Sequence, residues 1–203
     1  MARKPKKKAV KKIVSQPRKA RSKPIWALLF FALAILIFVA IADFDISQSK
    51  QHTTEPETNL VGVIGAESSF WAFHFLGVAT FLVPIYLCWI GVRFLIQQEP
   101  RKRFMTALAA FLSVLCASGL AAVAQVSGAT QVEGSFFERQ LSQGFGGVFG
   151  ELLGLSLLQP YIGSFGSLFI LMMGLLIGSI IVFSDNLGRF LDYLQNLYRN
   201  FSD

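Results

Sequence analysis

Four long apolar stretches, separated by polar connectors, dominate the pattern of this chain. They cover residues 25–42, 70–92, 104–126 and 164–183. Each holds roughly the 20 residues that a helix needs to cross a hydrocarbon core about 30 Å thick. Buried strands are shorter than these runs. The pattern therefore predicts an all-α integral membrane protein with four transmembrane helices.

The first apolar stretch has a competing interpretation as a cleaved signal peptide. Residues 40–42 read Ala-Ile-Ala, which resembles a signal-peptidase site with small residues at two positions. However, the basic region before the stretch is far longer than the charged start of an ordinary signal peptide. We therefore favour a retained first span and keep cleavage as the alternative.

Composition agrees with a membrane protein and reveals a basic tail. Of the 203 residues, 53% are hydrophobic and only 15% are charged, whereas soluble domains carry about 25% charged residues. The net charge is +7, and 11 of the 19 Lys and Arg residues lie in residues 1–23. The excess positive charge thus belongs to the N-terminal tail, which we expect to be disordered.

The basic residues also predict the orientation of the spans. Connectors that carry many Lys and Arg residues stay in the cytoplasm. The tail, the connector around 97–103 and the C-terminal tail carry most of these residues, whereas the other two loops carry only Lys50 and Arg139. We expect both termini to be cytoplasmic, with loops 43–69 and 127–163 outside.

This topology divides the chain into three parts. They are a basic cytoplasmic tail (1–24), a four-helix membrane domain (25–186) and an amphipathic helix (187–203). The last has apolar residues at three- and four-residue spacing, so it would lie on the inner membrane surface or dock a partner. The basic tail could attract anionic lipid or bind the phosphates of DNA. We favour contact with membrane lipid.

Glycine marks both predicted outer loops. Asn59, Gly62 and Gly65 precede the second span, where glycine permits a tight turn or close backbone packing. In the second loop, Gly146, Gly150 and Gly154 recur every four residues. Such a small-residue face lets membrane helices approach closely. We predict an interfacial or re-entrant helix at 146–158, before the fourth span.

Three further residues inside the spans are candidates for packing or for binding a partner. Gly174 and Gly178 form a small-residue pair in the fourth span, suited to contacts within the bundle or between protomers. Pro84 lies midway along the second span and predicts a kink there, because proline removes a helical hydrogen bond.

Candidate chemistry is sparse. Glu151 and His74 are ionisable residues near the membrane and so are functional candidates, although we favour an aqueous position for the first and a local hydrogen bond for the second. Cys88 and Cys116 lack the spacing of metal ligands. The sequence has no phosphate loop, no HExxH motif and no acidic residue within the four spans. We expect no catalytic site, no cofactor and no metal, hence no enzyme; a small transporter or channel subunit is the alternative.

The layout over about residues 26–186 resembles the N-terminal four-helix membrane region of FtsK/SpoIIIE-type bacterial DNA translocases. The likeness includes residues 59–66, similar to an Asn-x-x-Gly-x-x-Gly-Ala pattern, then Gly77 and Pro84, and the glycine-rich stretch 146–154. The resemblance implies a module that anchors the protein at the division septum and recruits division partners. It also implies a part in cell division and chromosome partition at the cytoplasmic (inner) membrane of a bacterium. We expect the protein to form an oligomer in contact with membrane lipid.

In that family a cytoplasmic ATPase motor pumps DNA. Only 18 residues follow Asp185, and none of them belongs to a motor motif. The resemblance therefore predicts an anchoring module that lacks its own motor.

Overall fold

The computed structural model describes the backbone of residues 24–51, 53, 58–95, 100–129 and 137–202, and the side chains of those residues except 100–103 and 184–202. All the regular secondary structure in this part of the chain is helical. The α-helices are α1 (Pro24–Ala42), α2 (Gly62–Leu76), α3 (Leu82–Leu95), α4 (Pro100–Val126), α5 (Gly147–Gly150) and α6 (Gln159–Ser202). Short 3₁₀ helices cover Ile46–Gln48 and Gly77–Phe81, and a π-helix, Glu151–Leu158, joins α5 to α6.

Four helical segments within the described residues are long and apolar enough to cross a membrane. They are Pro24–Ala42, Gly62–Leu95, Phe104–Val126 and Gly147–Phe183. The predicted all-α membrane fold with four transmembrane segments is thereby confirmed. The second and fourth segments begin earlier than predicted, because α2 and the π-helix precede the spans without an intervening polar loop.

Helix α1 packs chiefly on α3. Ala27 and Ala34 are buried, and a methyl group added at Gly91 would lie 3.3 Å from the carbonyl oxygen of Ala27. The rings of Phe30 and Phe94 stack with centroids 5.2 Å apart. Small residues thus allow the two helices to approach closely, while the large apolar side chains of α1 remain on the outer surface of the bundle.

The other main contact joins α4 to α6. Ala109 and Val114 of α4 belong to the same buried cluster as Val182 of α6 and Tyr86 of α3. The hydroxyl of Tyr86 lies 3.2 Å from that of Ser179. These contacts hold α3, α4 and α6 together.

The second transmembrane segment bends at Gly77. Its φ is +56°, and the Thr80 hydroxyl donates a hydrogen bond to the carbonyl oxygen of Ala72 at 2.9 Å. Residues eight apart in a straight helix would be about 12 Å apart along the axis, so this hydrogen bond requires the bend. The bend therefore lies at Gly77 and not at Pro84, where the sequence predicted a kink. Pro84 lies in the first turn of α3, where its missing N–H costs little.

The fourth segment also has a break. Gly163 has φ +70° and ψ 174° inside α6, so the chain turns there and the helix resumes at Ser164. The backbone of α6 continues as helix to Ser202. The side chains of the predicted amphipathic helix, 187–203, lie outside the described residues, so its apolar face stays a prediction. Residues 1–23 of the basic tail also lie outside them, and the interpretation of the tail stays a prediction too.

Candidate functional site

The described residues of two connecting segments, 43–61 and 127–146, lie at one end of the bundle, which we call the loop end. The amide of Ile46 donates to the carbonyl oxygen of Arg139 at 2.9 Å and joins the two segments. The amide of Val78 donates to the carbonyl oxygen of Phe145 at 2.8 Å and joins the second segment to the bend. Beneath them lies an apolar cluster in which the rings of Phe44 and Phe73 stack 5.6 Å apart.

Asn59 connects three parts of the loop end. Its side-chain nitrogen donates to the carbonyl oxygen of Ala40 at 3.1 Å and to Oε1 of Gln48 at 2.9 Å. Its side-chain oxygen accepts a hydrogen bond from the amide of Val61 at 2.9 Å. The residue is only 5% exposed. Asn59 thus ties the last turn of α1 to the start of α2.

Gly62 and Gly65 make room for this arrangement. Gly62 has φ +74°, which favours glycine, and its amide donates to the carbonyl oxygen of Asn59 at 2.7 Å. A methyl group at Gly65 would lie 2.5 Å from Oδ1 of Asn59. Both glycines are therefore adjacent to Asn59 in space as well as in sequence.

Carboxylates of the first connecting segment and of α2 accept hydrogen bonds from backbone amides of that segment. Asp43 accepts from the amide of Leu60 at 2.8 Å, and Glu67 accepts from the amide of Lys50 at 2.8 Å. Asp45 accepts from the amide of Ser47 at 3.0 Å and caps the 3₁₀ helix. These acids order the loop. Among the residues described, no group of three or more His, Cys, Asp or Glu side chains could hold a metal ion.

Gly146, Gly150 and Gly154 lie against α4 of the same chain. Added methyl groups would lie 2.7 Å from the carbonyl oxygen of Ser118 at Gly146, 2.8 Å from the carbonyl carbon of Ser118 at Gly150, and 2.7 Å from the carbonyl oxygen of Gly119 at Gly154. The Ser118 hydroxyl also donates to the carbonyl oxygen of Gly146. This face is thus occupied within the chain; a partner-binding role for these glycines stays a prediction.

Gly174 and Gly178 also face α4, farther along its length. A methyl group at Gly174 would lie 2.7 Å from the sulfur of Cys116, and one at Gly178 would lie 3.1 Å from the carbonyl oxygen of Ala109. Pro84 is buried in α3. The candidate residues therefore occupy four places: the loop end, the contact of the glycine-rich segment with α4, the α4–α6 contact and α3.

His74 and Glu151 have ordinary surroundings. The ring of His74 stacks on that of Phe70 with centroids 5.8 Å apart, and its Nδ1 lies 3.5 Å from the hydroxyl of Ser142. Glu151 is exposed at the start of the π-helix. Among the residues described, neither belongs to a group of three or more His, Cys, Asp or Glu side chains that could hold a metal ion.

Sequence reasoning missed two residues that shape the molecule. Gly147 has φ +59°, and a methyl group there would lie 2.7 Å from the carbonyl oxygen of His74. The two adjacent glycines at 146–147 could have indicated this left-handed backbone conformation. Arg93, which directly follows the predicted second span, is 2% exposed. Its position at the end of an apolar stretch gave no signal of burial.

These features define a multi-pass helical membrane domain whose buried polar groups and glycines hold its helices together. A family model described as the 4TM region of DNA translocase FtsK/SpoIIIE matches residues 19–195, and the chain belongs to this family. The resemblance predicted from the glycine pattern is confirmed. The chain is thus a membrane region of the DNA translocase family.

A curated relative agrees with this assignment. The chain is 28% identical over 111 residues to the protein named DNA translocase FtsK from Rickettsia prowazekii (strain Madrid E). The match covers 55% of this chain and 14% of the relative, so the chain spans a small part of that protein's length. No solved structure matches the chain.

Proposed function

We propose that this membrane region anchors a DNA translocase system in the bacterial cytoplasmic membrane and recruits other division proteins to the septum, without a catalytic role of its own. The family match across residues 19–195 carries this proposal, because it includes all four transmembrane segments. The relative's name, DNA translocase, supports the link to DNA movement. The proposal concerns the membrane region and holds whether a motor shares its polypeptide or belongs to another chain.

The orientation in this proposal places both termini in the cytoplasm. It is supported by the 11 basic residues before Pro24 and by the two basic residues, Lys50 and Arg139, of the other side. The loop end, with its acids at Asp43 and Glu67, then faces outward. This arrangement gives the loop end access to partners outside the membrane and the basic tail access to lipid or DNA inside.

Recruitment requires an accessible surface, and α2 offers one at its start. Leu60, Val63 and Ile64 are 77%, 59% and 82% exposed. Val63 and Ile64 lie in the first turn of α2, and Leu60 lies just before the helix begins. The amide of Leu60 donates to the carboxylate of Asp43, which holds this residue beside the polar loop. We propose that this α2 patch contacts a transmembrane helix of another division protein.

The first experiment tests localisation. A fluorescent protein fused after Asp203 is expressed from the chromosome and imaged in dividing cells of the host. We expect enrichment at midcell. A uniform envelope signal would contradict the recruiting role, and solute flux through vesicles containing the purified protein would instead support a transporter or channel.

The second experiment tests the α2 patch. Replacing Leu60, Val63 and Ile64 with serine should abolish midcell enrichment and copurification of division proteins while membrane insertion is retained. Serine at Tyr161 and Phe165, which are 85% and 84% exposed on α6, is the matched control and should leave both unchanged. Equal behaviour of the two variants would exclude the patch as the contact.

We also propose that the region is oligomeric. Native mass spectrometry of the same preparations tests this, and we expect a mass greater than that of one chain.

A further inference from the structure

Helix α6 is longer than the crossing of a membrane requires. From Ser164 to Ser202 its backbone is helical without a break, which gives a length of about 58 Å at 1.5 Å per residue. The hydrocarbon core is only about 30 Å thick. The part that can cross the membrane ends at Phe183, so residues 184–202 continue the same helix for about 28 Å. We call these residues the projecting segment.

Helix α3 ends near the start of the projecting segment. The hydroxyls of Tyr86 and Ser179 lie 3.2 Å apart, and the indole N–H of Trp89 donates to the carbonyl oxygen of Val182 at 2.6 Å. Successive positions of α3 therefore meet successive positions of α6, and the two helices run in the same direction. The last residue of α3, Leu95, is then level with about residue 188 of α6.

Helices α4 and α1 begin at the same level. Helix α4 runs antiparallel to α6 with Ala109 opposite Gly178, which places its first residue, Pro100, level with about residue 188 as well. Helix α1 runs antiparallel to α3 with Ala27 opposite Gly91, so it begins where α3 ends. Within the described part of the chain, the last 20 Å or so of α6 thus extend beyond every neighbouring helix.

The sequence of the projecting segment has a heptad pattern. Three of every seven positions are apolar: position a holds Leu187, Leu194 and Phe201, position d holds Phe190 and Leu197, and position e holds Leu191 and Tyr198. The other positions carry polar residues or glycine, apart from Tyr193. Such a stripe is typical of a helix that packs along one side against another helix.

The same register continues back into the fourth span and shows which way the stripe faces. There, Leu176, Ile177 and Ile180 occupy positions d, e and a, and all three are exposed. Gly178, which lies against α4, and Val182, which is buried beside α3, are on the opposite side of the helix. A straight helix drifts by about 20° per heptad, which keeps the centre of the stripe on the side away from the chain's own bundle.

We propose that the projecting segments of two copies of this chain pair as a parallel coiled coil along positions a, d and e. Copies inserted in one membrane share one orientation, so their segments start at the same level and run in the same direction. Identical residues then lie opposite each other, as a parallel coiled coil requires. The proposal rests on the proposed oligomeric state of the region and names the surface that produces it.

The membrane surface is the other apolar partner within reach of this helix. A helix that lies in the interface must turn away from the direction of the preceding span. The backbone of α6 contains no such turn after Gly163. The stripe is therefore carried away from the lipid, whereas a second copy carries an identical stripe to the same height.

Disulfide formation between copies tests the pairing. In the full chain with Cys88 and Cys116 replaced by alanine, Leu194→Cys places a thiol at position a. Asn196→Cys places one on the opposite side of the helix at nearly the same level and is the matched control. In native membranes treated with copper-phenanthroline, we expect a several-fold higher yield of cross-linked dimer for L194C. A yield for N196C that equals or exceeds it would overturn the proposal.

Native mass spectrometry of the unmodified chain separates this proposal from that of the oligomeric state. A mass of one chain would overturn both. A mass above one chain, together with equal cross-linking of L194C and N196C, would retain the oligomer, place its contact elsewhere and reject the coiled coil.

A charge exchange tests the parallel register. Leu194→Glu in both copies places like charges opposite each other and should lower copurification of two differently tagged copies several-fold, whereas Asn196→Glu should leave it unchanged. Coexpression of L194E with Leu194→Lys should restore copurification, because residue 194 meets its own counterpart only in a parallel, in-register pair. Absence of recovery in the mixed pair, or an equal loss in N196E, would overturn the register.

Discussion

The side-chain nitrogen of Asn59 lies 3.1 Å from the carbonyl oxygen of Ala40 and donates a hydrogen bond to it. This contact joins residues 19 apart in sequence, at a point where the last carbonyl groups of α1 have no partner within their own helix. In a membrane protein, an unsatisfied carbonyl at a helix end is costly unless water or a side chain reaches it. Asn59 therefore both ends α1 and positions the start of α2.

Replacing Asn59 with leucine should destabilise the bundle by about 1–3 kcal/mol, because it leaves buried polar groups of Ala40 and Gln48 without their partner. The measurement is the midpoint of unfolding in mixed micelles as the fraction of denaturing detergent rises. The control is Leu60→Ala, since this side chain is 77% exposed and should change stability little. Equal midpoints for N59L and the unmodified chain would show that the contact does not support the fold.

Gly150 is one of the glycines that face α4, and the backbone of Ser118 lies against it. Gly150→Val should cost about 1–3 kcal/mol or more, because added bulk forces the backbone of the two segments apart. Ser156→Val places the same side chain at an exposed position of the adjoining π-helix and serves as the control. Thermal unfolding in detergent should separate the two variants. A G150V protein as stable as S156V would mean that this close contact is dispensable.

The bend of the second segment gives a prediction that distinguishes two residues. Gly77→Ala should destabilise the fold strongly, because the new methyl group would lie 2.8 Å from the carbonyl carbon of Gly146 and φ is +56°. Pro84→Ala should have little effect on the bend, because Pro84 lies in the first turn of α3. Protease resistance in detergent is a suitable measurement. Greater damage from P84A than from G77A would restore proline as the cause of the bend.

The number of transmembrane segments could be predicted from sequence because apolar length alone determines it. The bend at Gly77 could not, since its cause is the packing of the backbone of residues 145 and 146, far away in sequence. The same limit applies to Gly146, Gly150 and Gly154: their spacing revealed a small face but not that α4 would cover it. Asn59 was recognised through a family resemblance, whereas its partners Ala40 and Gln48 became visible only in three dimensions.

The basic tail yields a prediction about its partner. Deleting residues 2–21 removes most of its Lys and Arg residues and should weaken binding of the reconstituted protein to vesicles rich in anionic lipid, because each basic residue near such a surface contributes about 1 kcal/mol. Retention of DNA on neutral membranes, measured at several salt concentrations, tests the other interpretation. Salt-sensitive DNA retention that disappears with the deletion would favour a DNA tether over lipid contact.

The orientation of the spans can be decided by labelling engineered cysteines with a membrane-impermeant reagent. Ser49 in the first loop is completely buried, so a cysteine there would report burial rather than sidedness. Gln51 and Gln143 are exposed, one in each connecting segment of the loop end, and are better positions. In a chain with Cys88 and Cys116 replaced by alanine, we expect Q51C and Q143C to react from outside intact cells.

A cysteine at Asp203 is the control for the opposite face, and we expect it to react only after the cells are permeabilised. The physical reason is the excess of basic residues on the side of the termini, which resists translocation across the membrane. Labelling of Asp203→Cys in intact cells, with Q51C protected, would invert the orientation. It would also place the loop end in the cytoplasm and so contradict the outward-facing loop end of the proposed arrangement.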